Sequence, residues 1–211
     1  MNPSEIADLL HPYIVGVDLP PGIFDQLAAY LDLLLRWNVK TNLTAIRDPE
    51  QIVTRHFGES LFAARVLVQD CGLQPTATLA DAGSGAGFPG VPIKLAVPDL
   101  HVTLIESQNK KATFLKELIR HLRLTGTEVF NGRAEQWGRR ADVVTMRAVE
   151  KFELAIPAAQ SLLAPGGKLC LLIGTAQRQR LTHLTSLKKS VEHVIPGTMD
   201  SVAWVGMVAQ I

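Results

Sequence analysis

Leu79-Ala80-Asp81-Ala82-Gly83-Ser84-Gly85-Ala86-Gly87-Phe88-Pro89-Gly90-Val91-Pro92 is a short apolar run that ends in an acid and then in four glycines. A buried strand passing through a tight turn into a new helix has this form. Glycine allows positive φ in the turn, and its missing Cβ lets a ligand approach the main chain. The helix that follows can direct its free N–H groups at that ligand.

Two nucleotide-handling patterns fit the stretch, and a glycine-rich surface turn without a ligand is the third reading. Gly85-Ala86-Gly87-Phe88-Pro89-Gly90 satisfies G-x-G-x-x-G, the dinucleotide turn of a nicotinamide-dependent oxidoreductase. Asp81-Ala82-Gly83-Ser84-Gly85 resembles the acid-x-Gly-x-Gly turn of class I S-adenosylmethionine methyltransferases. The surroundings have to separate them.

Downstream of Thr76 the pattern alternates strand and helix, as a parallel sheet requires. Strands are predicted at 78–82, 102–106, 127–130, 143–146, 168–173, 191–195 and 202–209, with Pro196-Gly197 turning the last two into a hairpin. Helices are predicted at 91–97, 109–122, 154–163 (stopped by Pro165-Gly166-Gly167) and 180–189. Upstream the chain reads as helix only. Ser4 is expected to cap a helix through His11. A second helix opens at Pro20-Pro21 and ends near Asn38, and a third follows the Asp48-Pro49 cap to about Val68, with a break at Gly58. The expectation is an α/β chain: a helical extension over 1–70, then a Rossmann-like domain over 71–211 with a seven-stranded, mostly parallel sheet and a terminal hairpin. Such a hairpin is typical of the methyltransferase fold, and little length remains for the substrate domain of a dehydrogenase.

Composition sets bounds. The 211 residues are 47% apolar and carry a net charge of +1, so overall charge announces no polyanionic partner. Its distribution is uneven. Residues 1–35 hold five acids and no Lys or Arg, whereas Lys110 to Arg147 hold nine basic residues against four acids. That excess is either a solvated face or a phosphate-binding surface. Cys71 and Cys170 fit no metal or redox spacing, and neither do the six histidines. No metal site, signal peptide or membrane span is expected, which makes the chain a cytoplasmic one.

Ligands of open α/β sheets bind beyond the carboxyl ends of the strands. The first strand end carries Asp81, Gly83, Gly85, Gly87 and Phe88. The second carries Glu106 and Ser107, at about the ~20-residue offset where an acid meets ribose hydroxyls. The fourth carries Arg147, whose fork suits bidentate contact with a phosphate or base, or else an ion pair with Glu135 or Glu150.

A longer set of motifs narrows this. Trp37-Asn38, Asn42-Leu43-Thr44-Ala45-Ile46, Arg55-His56 and Glu59-Ser60-Leu61 precede the glycine turn. Glu106-Ser107, Lys110-Lys111, Phe114-Leu115, Arg133-Ala134-Glu135 and Arg147-Ala148 follow it. Over about residues 25–175 this order resembles the bacterial 16S ribosomal RNA guanine-N7 methyltransferases, the glucose-inhibited division protein B family. The resemblance implies S-adenosylmethionine as donor and a guanosine of 16S rRNA in the small ribosomal subunit as acceptor. It implies that Gly83, Phe88, Ala134, Glu135 and Arg147 line the cofactor, with Glu106 and Ser107 at its ribose. Arg55, His56, Lys110, Lys111, Arg139 and Arg140 are the candidate RNA contacts, and a monomer is expected. The chain departs from the family where Ile173-Gly174 replaces the usual Lys-Gly, and where Gly58-Glu59 replaces the Asp that commonly precedes the serine. A non-catalytic RNA-binding relative is the alternative those departures raise.

Overall fold

A computed structural model describes residues 1–147, 152–184, 187–198 and 200–207. Ala148, Glu150 and the expected end of the last strand at 208–209 lie outside the described residues.

The chain opens with α1 (Pro3–Ile14) and α2 (Ile23–Thr41). The cap of α1 is Asn2, not Ser4. Its side chain accepts from Glu5 N while the Glu5 carboxylate accepts from Asn2 N, a reciprocal box that satisfies two orphan donors. Helix α2 runs past the expected stop at Asn38, because Asn42 takes the left-handed conformation (φ 46°) and supplies the cap there. Asp48 caps the next segment by accepting from Gln51 N. This segment is a turn, α3 (Pro49–Gln51), then a π-helix, π1 (Ile52–Gly58), then α4 (Glu59–Gln69). Gly58 is not a break. A Cβ there would stand 2.8 Å from the Tyr13 ring, so glycine is what lets α1 pack onto π1.

The sheet follows, with β1 (Thr78–Ala82), α5 (Gly90–Ala96), β2 (His101–Ile105), α6 (Asn109–His121) and β3 (Thr127–Phe130). After these come β4 (Ala141–Arg147), α7 (Phe152–Ser161), β5 (Leu163–Gly174), α8 (Thr175–Leu184), β6 (Lys188–Val194) and β7 (Ser201–Met207). Strand order is β3-β2-β1-β4-β5-β7-β6, parallel except for β7, which runs antiparallel between β5 and β6. The reversal of order between β1 and β4 makes the switch point.

Several elements shift from expectation: α7 is Phe152–Ser161, and β6 begins at Lys188, so that 188–189 are strand and not the end of the preceding helix. β5 begins at Leu163, because Leu163 pairs with Ala141 and Lys168 with Val143. The Ala164–Gly167 stretch thus bulges within β5, where the β4–β5 register shifts, and α7 has already ended at Ser161. α8 starts at Thr175, directly after β5, five positions before the expected Arg180. On one face of the sheet, α1, α2, π1 and α4 bury Tyr30, Phe57, Phe62 and their leucines in the same cluster as Phe114, Leu104 and Val143. Each such side chain contributes about 1.5–3 kcal/mol over leaving it in water. On the other, α7 and α8 cover Val144, Leu171 and Trp204.

Candidate active site

The glycine turn is stitched to the end of β2. Gly83 N and Ser84 N both donate to Ile105 O, at 2.9 and 3.0 Å. Glu106 completes the join, its Oε2 accepting from Gly85 N at 2.9 Å and its Oε1 from Gln108 N at 2.7 Å. Two acceptor positions of the carboxylate expected at the ribose are therefore engaged by main chain, and the side chain is 6% exposed. Asp81 lies beneath the turn, fully buried. Its Oδ1 accepts from Thr145 Oγ1 at 2.8 Å and its Oδ2 from Gly90 N at 3.2 Å. Burial lifts its carboxyl to about 6, with the bonds from Thr145 and Gly90 opposing.

Beyond the carboxyl ends of β1, β2 and β4 lies a cleft of about 290 Å³. Ala82, Ile105, Met146, Ala155, Ala158 and Ala159 give it low apolar walls, while Ser107, Arg133, Glu135 and Arg147 give it a polar rim. Five expected residues meet there: Gly83, Ser107, Ala134, Glu135 and Arg147. Gly83 has φ +76°, and a Cβ on it would meet no atom within 4 Å. Its conformation and the open space beside it both suit a ligand lying on the main chain.

Asp81, Gly85, Gly87, Phe88 and Glu106 stand outside that lining and serve the turn instead. Phe88 points away, stacking on Tyr30 (centroids 5.4 Å) and packing against His56 (4.7 Å) and Phe57 (5.6 Å). Tyr30, fully buried, donates its hydroxyl to Ala86 O, and a Cβ on Gly87 would strike that hydroxyl at 2.5 Å. An aromatic cluster of the helical extension thus grips the glycine turn from behind.

Arg147 is where expectation and structure differ most. Among the described residues its fork is held by the helical extension and not by Glu135. Nε and Nη2 donate to Glu59 Oε2 at 3.2 and 2.8 Å, Nη2 donates to Arg55 O at 2.8 Å, and Nη1 lies 2.6 Å from His56 Nδ1. Arg55 takes the other oxygen of Glu59 at 3.0 Å. Because a guanidinium only donates, His56 Nδ1 must accept, so its proton sits on Nε2, 2.7 Å from Thr44 Oγ1. Burial, Arg147 and Arg55 hold the His56 imidazole down to about 3, which keeps it neutral. Thr44 is itself held, donating its N–H to Asn38 Oδ1 at 3.0 Å while Asn38 Nδ2 donates to Thr44 O at 3.0 Å. Sequence reasoning missed Glu59, Thr44 and Asn38 as site residues. Their signal was the i,i+4 pair Arg55–Glu59 and the clustered Asn and Thr of the upstream motifs.

The expected RNA contacts divide. Lys110 and Lys111 open α6, a few residues after Ser107 of the cleft rim. Arg139 and Arg140 precede β4 and line a separate hollow with Thr78, His101 and Thr127, at the opposite ends of the strands. Arg139 there pairs with Glu128 at 2.6 Å, and Arg140 donates to Leu163 O. His56 is 8% exposed and committed to Arg147, while Arg55 stands at the surface.

Strand order, antiparallel β7 and a cleft at the switch point together define the class I S-adenosylmethionine-dependent methyltransferase fold. The solved structure of a SAM dependent methyltransferase from Aquifex aeolicus is similar over 80% of this chain and 98% of its own (TM-score 0.61, 15% identity). TrmN from Thermus thermophilus is similar over 74% of this chain, which spans about half (53%) of TrmN (TM-score 0.59, 16% identity). Sequence similarity narrows the class. The family model for rRNA small subunit methyltransferase G (GidB) matches residues 23–202, and the chain belongs to that family. Relatives named ribosomal RNA small subunit methyltransferase G include one from Xanthomonas campestris pv. campestris strain B100, 42% identical over 86% of this chain and 84% of its own. Another, from Streptococcus thermophilus strain CNRZ 1066, is 40% identical over 79% of this chain and 72% of its own.

Proposed function

We propose that the chain transfers a methyl group from S-adenosylmethionine to N7 of one guanosine in the 16S rRNA of the small ribosomal subunit, acting as a cytoplasmic monomer. The observation that carries this reading is the family match over residues 23–202, laid on a cleft floored by Gly83. It favours the methyltransferase reading of the glycine turn over the nicotinamide one. Among the described residues no helix is long and apolar enough to cross a membrane.

The residues present fit the donor. Gly83 offers main chain with free space above it, and Ala134, Ala155 and Ala158 leave a low apolar slot suited to a flat base. Glu135 and Ser107 supply polar contacts at its rim. When bound, S-adenosylmethionine supplies a methyl group already activated by its sulfonium. Guanine N7 is an unprotonated lone pair at neutral pH, so this chain needs no general base. His56 is held neutral against Arg147, and Asp81 is sealed under the turn. The work left to the protein is orientation and exclusion of water, which reach several kcal/mol through effective molarity. Residues 1–70 serve as an extension that braces the donor site, supplying Tyr30, His56 and Glu59, while 71–211 form the site itself.

Calorimetric titration of the whole chain with S-adenosylhomocysteine and with NAD tests the donor. Binding of the first and none of the second is expected. Binding of NAD alone would overturn the reading.

A further inference from the structure

We infer that Glu59 and His56 are positioning residues that fix the Arg147 guanidinium in the wall of the cleft, so that the helical extension sets the geometry of the donor site; this rests on the cleft being that site. Arg147 ends β4, Glu59 begins α4, and His56 belongs to π1. Of the five N–H groups on the guanidinium, four have partners among the described residues: two on Glu59 Oε2, one on Arg55 O and one on His56 Nδ1. The fifth is on Nη1, on a residue that lines the cleft.

Such an arrangement is poorly explained as a device for stability. Both side chains are nearly buried (12% and 5% exposed), and desolvation offsets most of the Coulombic gain of a buried pair. What the contacts do supply is a single orientation. Three acceptors from the extension hold the guanidinium in one orientation, and Thr44 anchors the other ring nitrogen of His56. The π-helical turn brings Arg55, His56 and Glu59 together as one receptor, and such turns recur at functional sites. A Glu59 shared between two arginines, with each oxygen assigned, cannot swing away without releasing both.

A double-mutant cycle on the full-length chain tests this, with S-adenosylhomocysteine affinity, methyl-transfer kinetics and melting temperature read for each variant. Glu59→Gln is expected to weaken the ligand about tenfold in the wild-type background and less than twofold in Arg147→Ala. The KM for S-adenosylmethionine should rise with kcat within twofold, because lost folding would lower the active fraction and hence kcat. Glu59→Asp should recover part of the affinity. If Glu59→Gln does not fold, Thr44→Val keeps both charges and frees His56, and it should still weaken the ligand in an Arg147-dependent way. Equal losses with and without Arg147, or a kcat loss at unchanged KM, would overturn the inference. Wild-type protein that fails to bind the ligand would instead overturn the donor-site reading.

Discussion

Gly83 and Gly90 belong to one turn, yet a methyl group added at each meets opposite surroundings. At Gly83 it finds open space but a φ of +76°, which costs an L-residue roughly 1–2 kcal/mol. Gly83→Val should therefore stay folded, melt several degrees lower, and lose S-adenosylhomocysteine binding. At Gly90 the added carbon lies 2.8 Å from Asp81 Cβ, Asp81 Oδ2 and Leu104. Gly90→Ala should cost about 1–3 kcal/mol, read by denaturant unfolding. Wild-type ligand affinity in Gly83→Val, or wild-type stability in Gly90→Ala, would contradict these roles. Asp81 adds a pH dependence of defined sign. Its carboxyl is raised to about 6 in the folded chain, against about 3.8 when unfolded, so between those values the folded state binds more protons. Stability from this group is therefore greatest below pH 4 and falls by about 3 kcal/mol as pH rises to 6, then stays level. The stability of wild type relative to Asp81→Asn should fall by that amount over the window. A difference constant with pH would show that Asp81 titrates normally.

Among the elements, those with dense local signals were legible. β1 and β3 have their expected bounds, because an apolar run ending in a turn signal leaves the strand few alternatives. At α1 the expected cap lies two residues late and the expected end three residues early, since Asn2 and Ser4 are both good caps and the reach of Glu5 decides between them. The π-helical turn carries no periodic signature at all. Proline and glycine in Ala164–Gly167 promised a break, but β5 pairs with β4 on both sides of them, with a shift in register. The basic run of the chain was misleading in another way, because Lys110 and Lys111 open α6 beyond the end of β2 while Arg139 and Arg140 precede the start of β4. If RNA follows the cleft edge, Lys110→Ala with Lys111→Ala should flatten the log–log salt slope of small-subunit binding by roughly 0.7–0.9 per lost contact. Arg139→Ala with Arg140→Ala should leave that slope unchanged. A flattened slope in the second pair would place the RNA at the far end of the strands.

At the scale of the molecule, the helical extension and the sheet share one buried cluster, and the site depends on both. Gly83, Ser107 and Arg147 were legible as lining of the cleft because each sits at or just past a strand end, where topology brings residues together, whereas Ala134 and Glu135 were reached through the family resemblance. The hold on Arg147 was not legible, because Glu59 and His56 are 88 and 91 positions away in sequence. No local pattern reports a contact of that range. Phe88 shows the converse, a residue of the glycine turn directed into the extension by Tyr30 and His56. That the assembled chain is a methyltransferase of small-subunit rRNA is the central claim. Its most direct test is transfer of labelled methyl from S-adenosylmethionine to small ribosomal subunits that lack N7 methylation, with the modified nucleotide mapped. The expected result is one methyl per particle, on N7 of one guanosine of 16S rRNA, abolished by Gly83→Val. Label that appears on protein, on another atom or at many sites, or no label from a chain that binds the cofactor, would contradict it.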